Sequence, residues 1–110
     1  MKKRKLGIIG GSGLYDIKGL ERPKWKKIKT AWGDPSGKIL TASYKNEEFC
    51  FIPRHGKGHK INPTKINYRA NIDALKRLGI TDIISVSAVG SLQEHLLPGT
   101  FVIIDQFIDR

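Results

Sequence analysis

Apolar residues fall along the chain in short runs, and the spacing within each run predicts what it forms. Leu6, Ile8 and Ile9 sit in a brief apolar stretch, residues 5–10, that breaks at Gly10-Gly11-Ser12-Gly13, the pattern of a buried strand running into a tight turn. Residues 18–34 are polar, with Arg22, Lys24, Lys26, Lys27 and Lys29 around Trp25 and Ile28, and predict a solvent-facing connection with one edge strand. Residues 37–45, the polar turn Asn46-Glu47 and residues 48–53 have the pattern of a β-hairpin, whose second arm ends at Pro53 and passes into Arg54-His55-Gly56.

Asn62-Pro63 predicts a helix start, because proline at the first helical position gives up no intrahelical hydrogen bond and asparagine can cap free amides. Ile66, Ala70, Ala74 and Leu78 then recur every four residues opposite Lys65, Arg69, Asp73, Lys76 and Arg77, which is an amphipathic helix ending at Gly79. Residues 82–88 read as the next strand, closed by Gly90, and residues 100–105 as another after the Pro98-Gly99 turn. Strand, helix and strand in that order imply a crossover unit, hence an α/β fold. The chain stops at Ile108-Asp109-Arg110 just past an apolar run, with one helix to cover a sheet that needs cover on both faces. Residues 1–110 therefore read as the first part of a longer domain.

Composition narrows the classes. A chain of 110 residues with 39% apolar and 27% charged positions can bury a core and forms one domain. One cysteine, Cys50, cannot close an internal disulfide, which excludes a disulfide scaffold and points to a cytoplasmic setting. No apolar run approaches the roughly 18 residues of a membrane span. Twenty Lys and Arg against ten Asp and Glu give a net charge of +10, which raises nucleic acid as a partner. The densest basic runs, Lys2 to Lys5 and Arg22 to Lys29, join no constellation of chemistry-bearing residues and are assigned mainly to solubility.

Three segments could carry chemistry, each following a predicted strand. Gly10-Gly11-Ser12-Gly13 either presents consecutive amides and the Ser12 hydroxyl to an anion or is an ordinary turn; it lacks the third glycine of the dinucleotide fingerprint and the Lys-Ser/Thr of a P-loop. Residues 54–60 pack Arg54, His55, Lys57, His59 and Lys60 into a glycine-containing loop, readable as a phosphate fork, a solvated basic loop or, through His55 and His59, a metal site. Ser85, Ser87, Gly90 and Ser91 place hydroxyls and open backbone at the carboxyl end of another strand, where α/β sheets bind ligands. Together the three could surround one tetrahedral anion. Cys50, between Phe49 and Phe51, reads as packing rather than as a nucleophile.

Gly7-Ile-Ile-Gly-Gly-Ser-Gly-Leu14, Arg54-His-Gly-Lys-Gly-His59 with Pro63, Asn67-Tyr-Arg-Ala-Asn71, Ser87-Ala-Val-Gly-Ser-Leu92 and the final Pro98 to Arg110 block together resemble the amino-terminal part of the S-methyl-5′-thioadenosine phosphorylase family, a branch of the purine nucleoside phosphorylases. The resemblance runs from about Lys5 to the last residue and is loosest between Lys18 and Gly37. It implies an α/β fold with the mixed central sheet of the nucleoside phosphorylase type, incomplete in this chain. It further implies phosphorolysis of S-methyl-5′-thioadenosine to adenine and 5-methylthioribose 1-phosphate, with methylthioinosine or general purine nucleosides as alternative substrates; the +10 charge and Trp25 among lysines keep a small basic nucleic-acid-binding protein as the reading from another class. Carried over position by position, it makes Ser12, Arg54, His55, Ser87 and the Ala88 amide phosphate-binding residues, with no metal and no cofactor besides phosphate as co-substrate. It implies a cytoplasmic homotrimer for the complete enzyme, with neither membrane nor nucleic acid as partner. The residues that read the purine and the methylthio group are expected beyond Arg110, so the 110-residue chain alone is expected to be inactive or nearly so.

Overall fold

The computed structural model describes residues 3–11 and 17–109. Five strands form one mixed sheet: β1 (Leu6–Gly10), β2 (Glu21–Lys26), β3 (Ile39–Tyr44), β4 (Glu47–Pro53) and β5 (Asp82–Ser85), in the order β2-β3-β4-β1-β5. β2, β3 and β4 are successively antiparallel, whereas β1 runs parallel to both neighbours, with Ile9 opposite Ile52 on one side and Ser85 on the other. The predicted strand at residues 5–10, the hairpin and an edge strand within residues 18–34 are all present. The hairpin turn lies one residue earlier than expected, at Lys45 and Asn46. Their φ values of 48° and 67° give the doubly left-handed turn that matches the twist of adjoining strands.

The helix α1 (Tyr68–Arg77) begins later than the Asn62-Pro63 start predicts. Asn62 does cap, its side chain accepting from Lys65 N, but what it starts is a 3₁₀ turn, Pro63–Lys65, and Ile66 beyond it is extended. Asn67 then supplies a second cap by accepting from Ala70 N. At the other end Gly79, at φ +79°, stops the helix as expected.

α1 covers one face of the sheet. Ala74 and Leu75 pack with Ile9, Ile39, Cys50 and Ile52, and Ile28, Leu78 and Ile80 close the margins. Along β1, Ile9 packs with the helix, and Gly7, two residues earlier on the same face, lies close against it. A Cβ there would lie 2.9 Å from Ile80 Cγ2 and 3.3 Å from both Leu75 methyl groups. Gly7→Ala is therefore expected to destabilise the chain by about 1–3 kcal/mol through overpacking, read as a lower urea midpoint; an unchanged midpoint means that Ile80 and Leu75 yield without strain.

Cys50 is buried in the same layer, and burial pushes its thiol above the ordinary 9.0, with Lys5 and Lys26 pulling more weakly downward and Glu48 adding slightly to the rise. The folded chain holds this proton to higher pH than the unfolded chain does. Its contribution is thus complete below the unfolded thiol value and is lost as pH climbs through the folded one. Thiol reagent at pH 8 should label Cys50 slowly in buffer and fast in urea; equal rates would mean the thiol is accessible.

Two predicted strands differ. The stretch expected at residues 82–88 pairs only as far as Ser85, and residues 100–105 form no strand. The Pro98-Gly99 turn is present, with Gly99 at φ +91° and Thr100 N donating to Leu97 O, but Phe101 and Ile103 beyond it are almost fully exposed. An extended apolar segment becomes a strand only when a neighbour's amides and carbonyls align with it; here β5 has no strand on its outer side in the described sheet. No helix among the described residues is long and apolar enough to cross a membrane.

Candidate anion site at the carboxyl edge of the sheet

β1 lies between β4 and β5, so the carboxyl ends of three parallel strands fall side by side. The chain leaving β4 stays against β1 for one further bond, from Arg54 N to Gly10 O at 2.9 Å, and the chain leaving β5 does the same, from Val86 N to Ile9 O at 2.8 Å. The Arg54 side chain then reaches across the end of β1. Its Nη1 donates to Ser87 Oγ at 2.7 Å and its Nη2 donates to the Val86 carbonyl. Ser87 accepts in this bond, which leaves its hydroxyl proton for another acceptor. A planar cationic fork and a hydroxyl are thereby held together at the carboxyl end of β1, where the next residue, Gly11, has open space on the side a Cβ would fill.

His55 follows Arg54 and is fixed differently. Its Nδ1 lies 2.8 Å from Ile61 O, and because a carbonyl can only accept, Nδ1 carries the hydrogen. Its ring stacks on His59 with centroids 4.1 Å apart. Lys57 from the same loop lies over the Trp25 ring, 5.2 Å from its centroid, tying the loop to the edge strand β2. Next to Arg54, on the helix side of the sheet, is a cavity of about 230 Å³ between α1 and the ends of β1 and β5; Ser85, Tyr68, Asn71 and Ile72 also line it.

Of the residues singled out from sequence, Arg54 and Ser87 are brought into direct contact. Ala88 follows Ser87 on exposed chain, and His55 turns its Nδ1 into its own loop. Ser12 lies outside the described residues. Sequence reasoning did not place Asn71 or Tyr68 at this edge. The signal for Asn71 was available: it lies one residue after Ala70 on the face that carries Ala70, Ala74 and Leu75, a polar residue at a buried helix position.

Comparison with known proteins gives concordant results. The phosphorylase superfamily family model matches residues 5–110. The chain is 59% identical over 108 residues to the S-methyl-5′-thioadenosine phosphorylase of Cereibacter sphaeroides, an alignment covering 98% of this chain and 37% of that protein. It is 57% identical over 109 residues to the enzyme of the same name from Thermofilum pendens, covering 99% and 42%. Among solved structures, a methylthioadenosine phosphorylase from an antarctic soil metagenomic library superposes with a TM-score of 0.81 at 48% identity, over 86% of this chain and 33% of that one. The methylthioadenosine phosphorylase of Schistosoma mansoni in complex with adenine gives 0.78 at 45% identity, over 88% and 35%. The chain thus spans about two fifths of the length of these curated relatives.

Proposed function

Because the chain belongs to the phosphorylase superfamily, we propose that it is the amino-terminal, phosphate-holding portion of an enzyme that cleaves S-methyl-5′-thioadenosine with inorganic phosphate. In that reaction the bond between the ribosyl C1′ and the purine nitrogen breaks and its electron pair leaves with the purine. A phosphate oxygen forms the new bond to C1′, and the products are adenine and 5-methylthioribose 1-phosphate. As the glycosidic bond lengthens, positive charge builds on the sugar, and a dianion fixed beneath it both stabilises that charge and becomes the nucleophile. Phosphate is the co-substrate, and the step requires no metal or organic cofactor.

In this reading Arg54 offers its guanidinium fork, Ser87 its hydroxyl proton and the Ala88 amide a further donor, with Ser12 and His55 as the remaining phosphate contacts. The observation that carries the reading is the Arg54 to Ser87 contact across the end of β1. The purine-reading acid and the methylthio pocket belong to the carboxyl-terminal portion, and the complete enzyme is a cytoplasmic homotrimer.

The reading is tested on the 110-residue chain itself. Phosphate, added at constant ionic strength, is expected to perturb the Arg54, His55 and Ser87 resonances selectively. A response no different from that to chloride overturns the assignment. Adenine release from S-methyl-5′-thioadenosine is expected at background, since loss of a general acid alone removes about 10²–10⁴-fold. Robust turnover would show instead that the carboxyl-terminal portion is dispensable.

A further inference from the structure

Asn67, the N-cap of α1, and Asn71, within its first turns, both hold the same short segment of chain. Asn67 Nδ2 donates to Trp32 O at 2.8 Å. Asn71 Oδ1 accepts from Ser36 N at 2.8 Å, and its Nδ2 donates to Ser36 Oγ at 3.0 Å. Asn71 is 2% exposed and Ser36 7%, so this reciprocal pair is buried where an apolar side chain would fill the space without needing partners. An amide in such a place fixes distance and direction, which apolar packing does only loosely.

Residues 32–36, pinned at both ends to the helix, press from their other side on the anion loop. A Cβ at Gly56 would lie 3.0 Å from Ser36 O, and Gly56 adopts φ +76°. Gly56 N donates to Pro53 O at 2.9 Å, closing a four-residue turn whose two central residues are Arg54 and His55. The position of Gly56 therefore sets where both side chains leave the backbone. Asn71 and Arg54 also line one cavity.

We propose that Asn71 is a positioning residue of the anion site, acting through Ser36 and Gly56 on the turn that carries Arg54 and His55; the functional half of the inference rests on the phosphate reading above. Asn71→Leu keeps the approximate size and removes both hydrogen bonds. Ser36→Ala keeps the backbone donor to Asn71 Oδ1 and removes the acceptor of Nδ2. Leu75→Val, on the same helix but away from residues 32–36, is the control for destabilisation alone. In the 110-residue chain, two quantities are read well below every melting temperature: amide shifts of residues 54–59 without added anion, and the dissociation constant of inorganic phosphate.

Asn71→Leu is expected to move the loop amides and weaken phosphate about tenfold, the scale of one net hydrogen bond. Ser36→Ala should do the same to a smaller extent, and Leu75→Val should lower the melting temperature while moving neither quantity. Loop shifts and phosphate affinity in Asn71→Leu that match those of Leu75→Val overturn the proposal. Where Asn71→Leu does not fold, Ser36→Ala decides, and unmoved loop amides there overturn it equally. If the unsubstituted chain binds no phosphate, the reading of function falls, and the positioning claim stands or falls on the loop shifts alone.

Discussion

On the proposed phosphate reading, Arg54→Ala is expected to weaken phosphate binding by about 10²-fold, since hydrogen bonds to charged groups contribute about 1.5–3 kcal/mol each. The same change frees Ser87 Oγ and the Val86 carbonyl, the two groups through which Arg54 fastens the end of β5. Arg54→Lys keeps the charge but not the planar fork, and it should recover only part of the loss. Phosphate titration of the isolated chain measures the effect directly. In a protein of full relative length, KM for phosphate should rise far more than KM for the nucleoside. Equal increases in both would show that Arg54 supports the fold and not the anion.

The largest effect on stability is expected at Leu75. Its side chain is fully buried between α1 and the sheet and touches the space that Gly7 leaves open. Leu75→Ala should cost about 2–5 kcal/mol, from lost burial and the cavity left behind. Domains have only about 5–15 kcal/mol in total, so the variant should unfold at a much lower urea concentration, with a shallow or absent cooperative transition. A midpoint close to that of the unsubstituted chain would mean that Ile80 and Leu78 collapse into the gap.

Elements whose cause is local were legible in the sequence. β1 follows from an apolar run stopped by glycines, and the end of α1 from Gly79. The start of α1 was misjudged because the chain contains two capping asparagines. Asn62 caps only a 3₁₀ turn and Asn67 the helix proper, and residue types alone do not rank them. The hairpin turn slipped by one residue for a similar reason, since Lys45 adopts the left-handed conformation that sequence would sooner give to asparagine. Residues 100–105 carry strand composition without a partner strand, and pairing is not a local property.

At the site, the convergence of Arg54 and Ser87 was foreseeable, because both follow strands and ligands gather at that edge of α/β sheets. What fixes them was not. The grip of Asn71 on Ser36 and the seating of Lys57 over Trp25 each join segments more than thirty residues apart, and nothing in either segment alone announces its counterpart.

The two borders of the sheet are built unlike each other, and this gives the architecture a direction. β2 carries Arg22, Lys24 and Lys26, a proline at position 23 and an irregular register between Glu21 and Lys24, all features that repel an incoming strand. β5 is less guarded: it carries one charge, Asp82, with no proline and a regular register, and Ile83 and Ile84 are about half exposed. The sheet thus meets its surroundings through a cationic, irregular border on the β2 side and a more apolar, regular one on the β5 side, the flank where Ser87 stands.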